Sequence, residues 1–515
     1  MRSRPPNLLV VLVDQLSAEF LPTYGHRVVQ APRLTGLAAR SVVFDSAYCA
    51  APLCGPARAS LYTGRRPSRI GAYDNATEFS ASVPTLGHAL RGAGYRTALA
   101  GKLHFIGPDQ LHGFEERLTG DIYPAGFDWT PDWTRPLTDR LPWYHTMDSV
   151  LEAGTVETAM QIDFDEEVAF RSVRHLQDLA RSGSADPWCF LVSFTHPHDP
   201  WEIREEQWNL YDPAAIDLPA VPALPYDSAD PHSRRVRDMI GVDEARLTDA
   251  QIRNARHGYY AAVSYVDAKI GQLLDTLERT GQADDTVVVV LSDHGEMLGE
   301  RGLWYKMTFF EPAMRVPLMV AAPGRLAPRR VADSVSTTDL VPTLLDLAGA
   351  EPLDVDGASL APLLSGVSAP ARPVLAEYLA EGVRAPAVMV RHGRYKYVAC
   401  PGDPEQLYDL VADPRELVDL AGRSACLPLL EACRAEVARH YDLDALTQDV
   451  LASQRQRRTV AGALALGRDP GWDYQPDAGR GDRYVHSRTD LYQLQRNARL
   501  DVARREPAGP ADAVA

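Results

Sequence analysis

The chain alternates short apolar runs, rich in β-branched residues, with longer stretches whose apolar positions recur at helical spacing. Runs at 8–13, 189–194, 286–291 and 316–321 are apolar at most positions, not at every second one, and 95–100 reads as a further strand. Continuous runs of this kind predict strands buried on both faces. Amphipathic stretches at 31–40, 85–94 and 259–280 fall between them and predict helices. Strand and helix in alternation predict a parallel α/β sheet covered on both sides.

Beyond about residue 370 the pattern changes. Short strands at 388–390, 395–398 and 407–408 are separated by turns, and 427–440 has helical periodicity. This predicts a small antiparallel sheet with a packed helix. From about residue 450 the chain is polar and Arg-rich. The organisation expected is an α/β domain over 1–370, an antiparallel α+β subdomain over 371–450 and an extension over 451–515. Its Pro/Gly/Ala-rich last residues are expected to be disordered. The chain has no internal repeat.

In parallel α/β sheets ligands collect at the carboxyl ends of the strands. Asp14 and Gln15 follow the first strand, and Lys102 and His104 follow 95–100. His196 and His198 follow 189–194, and Asp293 and His294 follow 286–291. Four strand ends thus deliver metal-ligand or acid–base side chains to one edge, which solvated loops do not explain. His196 could serve only as a hydrogen-bonding group within its loop.

Charge narrows the partners. With 53 Lys+Arg against 69 Asp+Glu, the net charge of -16 argues against nucleic acid. It also makes long-range steering of an anion unfavourable, so an anionic substrate needs local cations or a positive end of its own. Six cysteines without a CxxC pair suggest neither a zinc knuckle nor a disulfide framework. The apolar run after the basic N-terminus is too short for a signal peptide and ends at Asp14, and no stretch could span a membrane. A cytoplasmic protein is expected.

The sharpest motif is Cys54-Gly-Pro-Ala-Arg58-Ala-Ser-Leu-Tyr-Thr-Gly64. It resembles the sulfatase signature C-x-P-x-R with its Thr-Gly tail. Four further blocks resemble the same family and occur in its order: Gly101-Lys102-Leu-His104, Thr195-His-Pro-His198-Asp-Pro200, Ser292-Asp293-His294-Gly295, and Leu407-Tyr-Asp-Leu410 with Asp413-Pro-Arg-Glu416. The resemblance, to formylglycine-dependent sulfatases of the alkaline phosphatase superfamily, implies an α/β alkaline-phosphatase-like sandwich. A large mixed, mostly parallel sheet is joined in that fold by a smaller C-terminal antiparallel sheet and its helix.

The resemblance also implies the chemistry. A separate maturation enzyme oxidises Cys54 to formylglycine, whose hydrate supplies a geminal diol. One diol oxygen attacks sulfur, and the other expels sulfate as the aldehyde re-forms, so one hard step becomes two easier ones. Asp14, Gln15, Asp293 and His294 would hold a divalent metal with residue 54. Calcium is favoured by the family; imidazole in the set is also compatible with manganese. Arg58 would orient the diol and Lys102 bridge diol and sulfate. His104 would assist collapse of the sulfated intermediate. His198 and Lys306 would bind sulfate and protonate or stabilise the leaving oxygen.

Several stretches resemble choline sulfatases in particular: Tyr73–Ala76, His104–Arg117, Asp121–Asp132 and Asp293–Phe310. A quaternary ammonium donates no conventional hydrogen bond, so its partners are aromatic faces and carboxylates. Trp129, with Asn75 on the pocket wall and Glu381 and Asp490 as carboxylates, is the set this resemblance implies. The late position of Asp490 suggests a tail that reaches a neighbouring subunit, in a homodimer or homotetramer. Two other readings stay open. One is a phosphonate or phosphate monoester hydrolase or arylsulfatase of the same superfamily; the other is a non-catalytic binder of sulfate esters or quaternary ammonium compounds.

Overall fold

The computed structural model describes residues 5–123, 125–137 and 139–466. The predicted strands form, with ends shifted by one or two residues. The main sheet contains β1 (Asn7–Val13), β2 (Val42–Tyr48), β3 (Arg96–Gly101), β4 (Glu116–Arg117), β5 (Trp188–Phe194), β6 (Thr286–Ser292), β7 (Arg315–Val316), β8 (Leu318–Ala321) and β9 (Arg329–Ser336). Their order is β9-β2-β8-β6-β1-β5-β3-β4, with β7 on β2. Pairings among β6, β1, β5, β3 and β4 are parallel, as is β9 on β2, whereas β8 runs antiparallel to β2 and β6. The apolar run 316–321 is split because Pro317 cannot donate a ladder hydrogen bond.

Every residue of β1, β5 and β6 is buried, as their mainly apolar sequences lead one to expect. Helices Pro32–Ala38, Leu86–Gly92 and Met160–Ser182 pack on the sheet. The last has a wide polar face and escaped the sequence reading. The long helix is Asp249–Arg279, ten residues longer at its start than its apolar stripe suggests. Thr248 and Gln251 form a capping box that fixes this start. Its Asp267 accepts the N–H groups of Arg33 (3.0 Å) and Leu34 (2.7 Å), so a distant carboxylate caps a helix whose own N-cap, Ala31, cannot.

The second sheet is antiparallel, in the order β10 (Val374–Tyr378), β11 (Ala387–His392), β12 (Tyr395–Ala399) and β13 (Gln406–Asp409). Helix Leu427–His440 packs on β11. Several contacts tie this sheet to the α/β part, among them Arg391 Nε to the Tyr48 hydroxyl at 3.1 Å. The N–H of Glu377 donates to the Ala50 carbonyl at 2.9 Å. Buried Lys396 donates to Glu416 (2.8 Å) and the Phe309 carbonyl (2.7 Å). These contacts bring the loop after β10, with Glu381, toward the segment that precedes Cys54. Where the sequence suggested only a polar extension, helix Leu443–Leu464 is found, capped by Asp442. No helix among the described residues is long and apolar enough to cross a membrane.

Candidate active site

Cys54 opens helix Cys54–Thr63, so its side chain lies at the positive end of the helix dipole. Arg58, one turn on, is fully buried beneath it. The Arg58 Nε donates to Asp293 Oδ2 (2.9 Å) and its Nη1 to Ser193 Oγ (2.9 Å) and the Lys102 carbonyl; Nη2 lies 3.6 Å from Asp14 Oδ2. One side chain thereby ties the ends of β1, β3, β5 and β6 together. Gly101 permits this convergence: at φ +95°, a Cβ there would collide with the Ser193 carbonyl.

Asp14, Cys54, Asp293 and His294 form a buried cluster whose ligand atoms all lie within 4.8 Å of one another. The His294 Nδ1 faces the Gly295 carbonyl at 3.0 Å, so that nitrogen carries the proton. The lone pair of Nε2 is then turned toward Cys54 Sγ (3.1 Å) and the two carboxylates (3.8 Å each). Asp14 Oδ1 is buried and accepts no hydrogen bond. Two carboxylates, an imidazole lone pair and an unpartnered buried oxygen fit a divalent cation. Gln15 stands at the cluster's edge: its N–H donates to Asp293 Oδ1 (3.0 Å), its Oε1 accepts from Lys306 (2.6 Å) and its Nε2 donates to Glu296 (2.6 Å).

Cations crowd the same point. Lys102 Nζ pairs with Asp14 and lies 3.6 Å from Cys54 Sγ. Burial alone would push the Cys54 thiol up, but Lys102 and Lys306 hold it well below its ordinary range. Lys306 Nζ donates to His198 Nε2 at 2.8 Å, and His198 Nδ1 faces the Asp199 carbonyl at 2.7 Å. Burial opposes the Lys306 charge, yet the anionic groups around it raise its pKa, so Lys306 keeps its proton. His104 Nε2 donates to the Asn75 carbonyl (3.0 Å), leaving Nδ1 as a base, and burial holds the ring below its ordinary pKa. Asn75 Oδ1 accepts from the Gly55 N–H (2.8 Å), which places Asn75 beside the start of the Cys54 helix.

A sulfatase family model matches residues 6–350. The chain belongs to the sulfatase family. A model described as N-sulphoglucosamine sulphohydrolase, C-terminal, matches 299–441, and one described as choline sulfatase enzyme C terminal matches 448–500. The choline-sulfatase of Rhizobium meliloti (strain 1021) is 46% identical over 509 residues, covering 97% of this chain and 99% of that protein. Bos taurus arylsulfatase K is 28% identical, covering 81% and 78%. Among solved structures, the phosphonate monoester hydrolase of Silicibacter pomeroyi superposes with a TM-score of 0.68 at 26% identity, covering 84% of this chain and 95% of that one. A 2-O GAG sulfatase gives 0.67 at 24%, covering 90% and 95%, which supports the fold. The protein is a sulfuric ester hydrolase with the alkaline-phosphatase-like fold.

The remaining residues singled out from the sequence sit as follows. Trp129 ends the turn Phe127–Trp129 and stacks parallel to Trp143, with ring centroids 6.0 Å apart. Glu381 is buried with Oε2 unpartnered, and burial pushes its carboxyl up to about 7, with Asp74 adding to the effect and Lys306 opposing it. It therefore lies within electrostatic reach of the Lys306 end of the site. His196 bonds Asp165 through Nδ1 (2.7 Å) and packs on Tyr265, away from the Cys54 cluster. Asp490 lies outside the described residues.

Sequence reasoning missed Tyr123, whose ring underlies Lys102 at 4.4 Å and whose hydroxyl is 3.1 Å from His198 Nδ1. It also missed His145, stacked on Tyr305, and Asp199, which lies between His145 and His198. Asp199 belongs to the His-Pro-His-Asp-Pro block, and Tyr123 to 121–132, so both stood inside segments already marked.

Proposed function

We propose that this sulfatase hydrolyses choline-O-sulfate to choline and inorganic sulfate. The observation that carries the reading is the near full-length likeness to a curated choline-sulfatase, which extends into residues 448–500. Converted to formylglycine and hydrated, residue 54 would supply the nucleophilic diol, and a calcium or manganese ion held by Asp14, Gln15, Asp293 and His294 would lower the diol pKa and polarise the sulfuryl oxygens.

The chain's own residues do the rest. Lys102 and Lys306 meet the sulfate oxygens, and Arg58 holds both carboxylates in register below. Cations fixed in place before charge develops supply the largest part of such catalysis. Lys306 Nζ and His198 Nε2 hold one transferable proton between them, which passes to the departing alcohol oxygen as its bond to sulfur breaks. His104, neutral with Nδ1 free, takes the hydroxyl proton from residue 54 when sulfate is released. Trp129, Asn75 and Glu381 would face the quaternary ammonium, with Asp490 closing the pocket from a neighbouring subunit of a homodimer or homotetramer. The enzyme would act in the cytoplasm after maturation by a formylglycine-generating enzyme.

The test is sulfate release from choline sulfate beside an aryl sulfate, and turnover of a phenyl phosphonate ester in parallel. The peptide bearing residue 54 is weighed from the same preparation. The highest kcat/KM is expected for choline sulfate, with residue 54 converted. A preference for the phosphonate or aryl ester in converted enzyme overturns the substrate, and binding without turnover in converted enzyme overturns the chemistry.

A further inference from the structure

Helix Leu443–Leu464 presents three polar side chains on one face, Gln454, Arg457 and Arg458, at spacings that place them side by side. Gln454 and Arg457 are buried. Arg457 grips Asp74 with both terminal nitrogens, Nη1 to Oδ1 at 2.6 Å and Nη2 to Oδ2 at 2.7 Å, and Nη1 also donates to Thr130 Oγ1 at 3.1 Å. Arg458 pairs with Asp132, and Gln454 Oε1 accepts the Trp133 N–H at 3.0 Å. The Trp133 indole in turn donates to the Ala380 carbonyl at 2.8 Å.

Both partners of Arg457, and the carbonyl reached through Trp133, stand one residue from a member of the ammonium pocket proposed above. Asp74 precedes Asn75, Thr130 follows Trp129, and Ala380 precedes Glu381. None of these contacts reaches the Cys54 cluster. A fork of five donors on a rigid plane is suited to fixing two loops at once, whereas a lysine would satisfy one.

We infer that Arg457 is a positioning residue for substrate selection: it sets the distance between the Asn75 and Trp129 loops, and so the fit of the substrate's cationic end. The inference rests on the choline-sulfate reading. It separates the roles of the two ends of the site, since the sulfate end is held by strand ends and the ammonium end by this helix.

The test is Arg457→Gln, with Arg457→Lys beside it, in the full-length enzyme. The kcat/KM for choline sulfate and for 4-nitrophenyl sulfate are measured together with the thermal midpoint. Arg457→Gln should lower the ratio of choline sulfate to aryl sulfate at least tenfold, mainly through KM for choline sulfate. Arg457→Lys, which keeps the charge and one contact, should recover part of the ratio. Parallel losses on both substrates that track a lowered midpoint would mean a merely structural role and overturn the inference. Should Arg457→Gln fail to fold, the ratio in Arg457→Lys decides, and a wild-type ratio there overturns the inference. Wild-type enzyme indifferent to choline sulfate overturns the substrate reading, and this inference with it.

Discussion

The proposed contact between Glu381 and the substrate's ammonium can be measured directly through its ionisation. Its carboxyl is buried, has an unpartnered oxygen, and is pushed up to about 7 by burial and then by Asp74. Only the ionised form attracts a quaternary ammonium. Unit charges about 5 Å apart at an effective dielectric near 20 attract by about 3 kcal/mol. That exceeds the about 1.4 kcal/mol needed to ionise Glu381 at about pH 6, one unit below its pKa. The free enzyme is about one-eleventh ionised at Glu381 near pH 6 and about ten-elevenths near pH 8, a tenfold change worth about 1.4 kcal/mol. Because kcat/KM reports ionisations of the free enzyme, catalytic groups common to all substrates cancel in a ratio. The assay is therefore kcat/KM for choline sulfate divided by that for an aryl sulfate, across pH 5.5 to 8.5. The ratio should rise about tenfold between about pH 6 and 8 in wild type. In Glu381→Gln, which keeps the shape and loses the charge, it should be flat and lie about a hundredfold lower at the alkaline end. A flat wild-type ratio, or a slope that survives in Glu381→Gln, refutes the assignment of Glu381 to the ammonium.

Lys306→Ala removes the cation that donates to His198 and Gln15. Steady-state kinetics should show kcat lower by about 10² to 10³ on choline sulfate, whose alkoxide needs the proton, and lower by less on an aryl sulfate, whose phenolate leaves without it; an unchanged rate on choline sulfate would contradict the role. A cation held at Asp14 and its neighbours should raise the thermal midpoint, by an amount equivalent to about 2.7 kcal/mol at a hundred times its Kd. A chelator should reverse this in wild type and leave Asp14→Asn unmoved; a wild-type midpoint indifferent to both chelator and added calcium or manganese rules out the proposed site.

Much of the fold and the Cys54 centre could be read from sequence because both depend on local pattern. The ends of β1, β3, β5 and β6 deliver Asp14, Lys102, His198 and Asp293 within a few residues of mainly apolar strands, and a parallel sheet gathers such ends along one edge. Arg58 was marked by its place four residues after Cys54. What escaped had no local signature. Asp267 caps a helix more than 230 positions away, and Arg457 bonds Asp74 at a separation of 383. A buried arginine in an Arg-rich polar stretch looks like every exposed one beside it until the partner's position is known. Likewise the split of 316–321 turned on one proline, which the apolar count alone overlooked.

The electrostatics of the whole molecule favour a substrate that carries both charges. The chain has a net charge of -16, yet Lys102, Lys306 and Arg58 lie buried around the Cys54 cluster. Each of these cations already has a buried partner: Asp14 for Lys102, Asp293 for Arg58, His198 and Gln15 for Lys306. These buried cations act at short range on a sulfate already in the site, whereas the net charge of the chain is negative. An aryl sulfate or a phosphonate monoester arrives as a net anion and must climb the protein's negative potential before meeting those cations. Choline sulfate has no net charge, so the same potential costs it nothing at a distance and draws its ammonium toward the acidic side of the site. On the proposed assignment, selection would rest on contact geometry at two ends: a strand-end cluster that any sulfate ester can use, and a loop-built wall that only a substrate with a cationic end repays. This division is consistent with a catalytic centre ordered by motifs near in sequence and a recognition wall ordered by a helix from the far end of the chain.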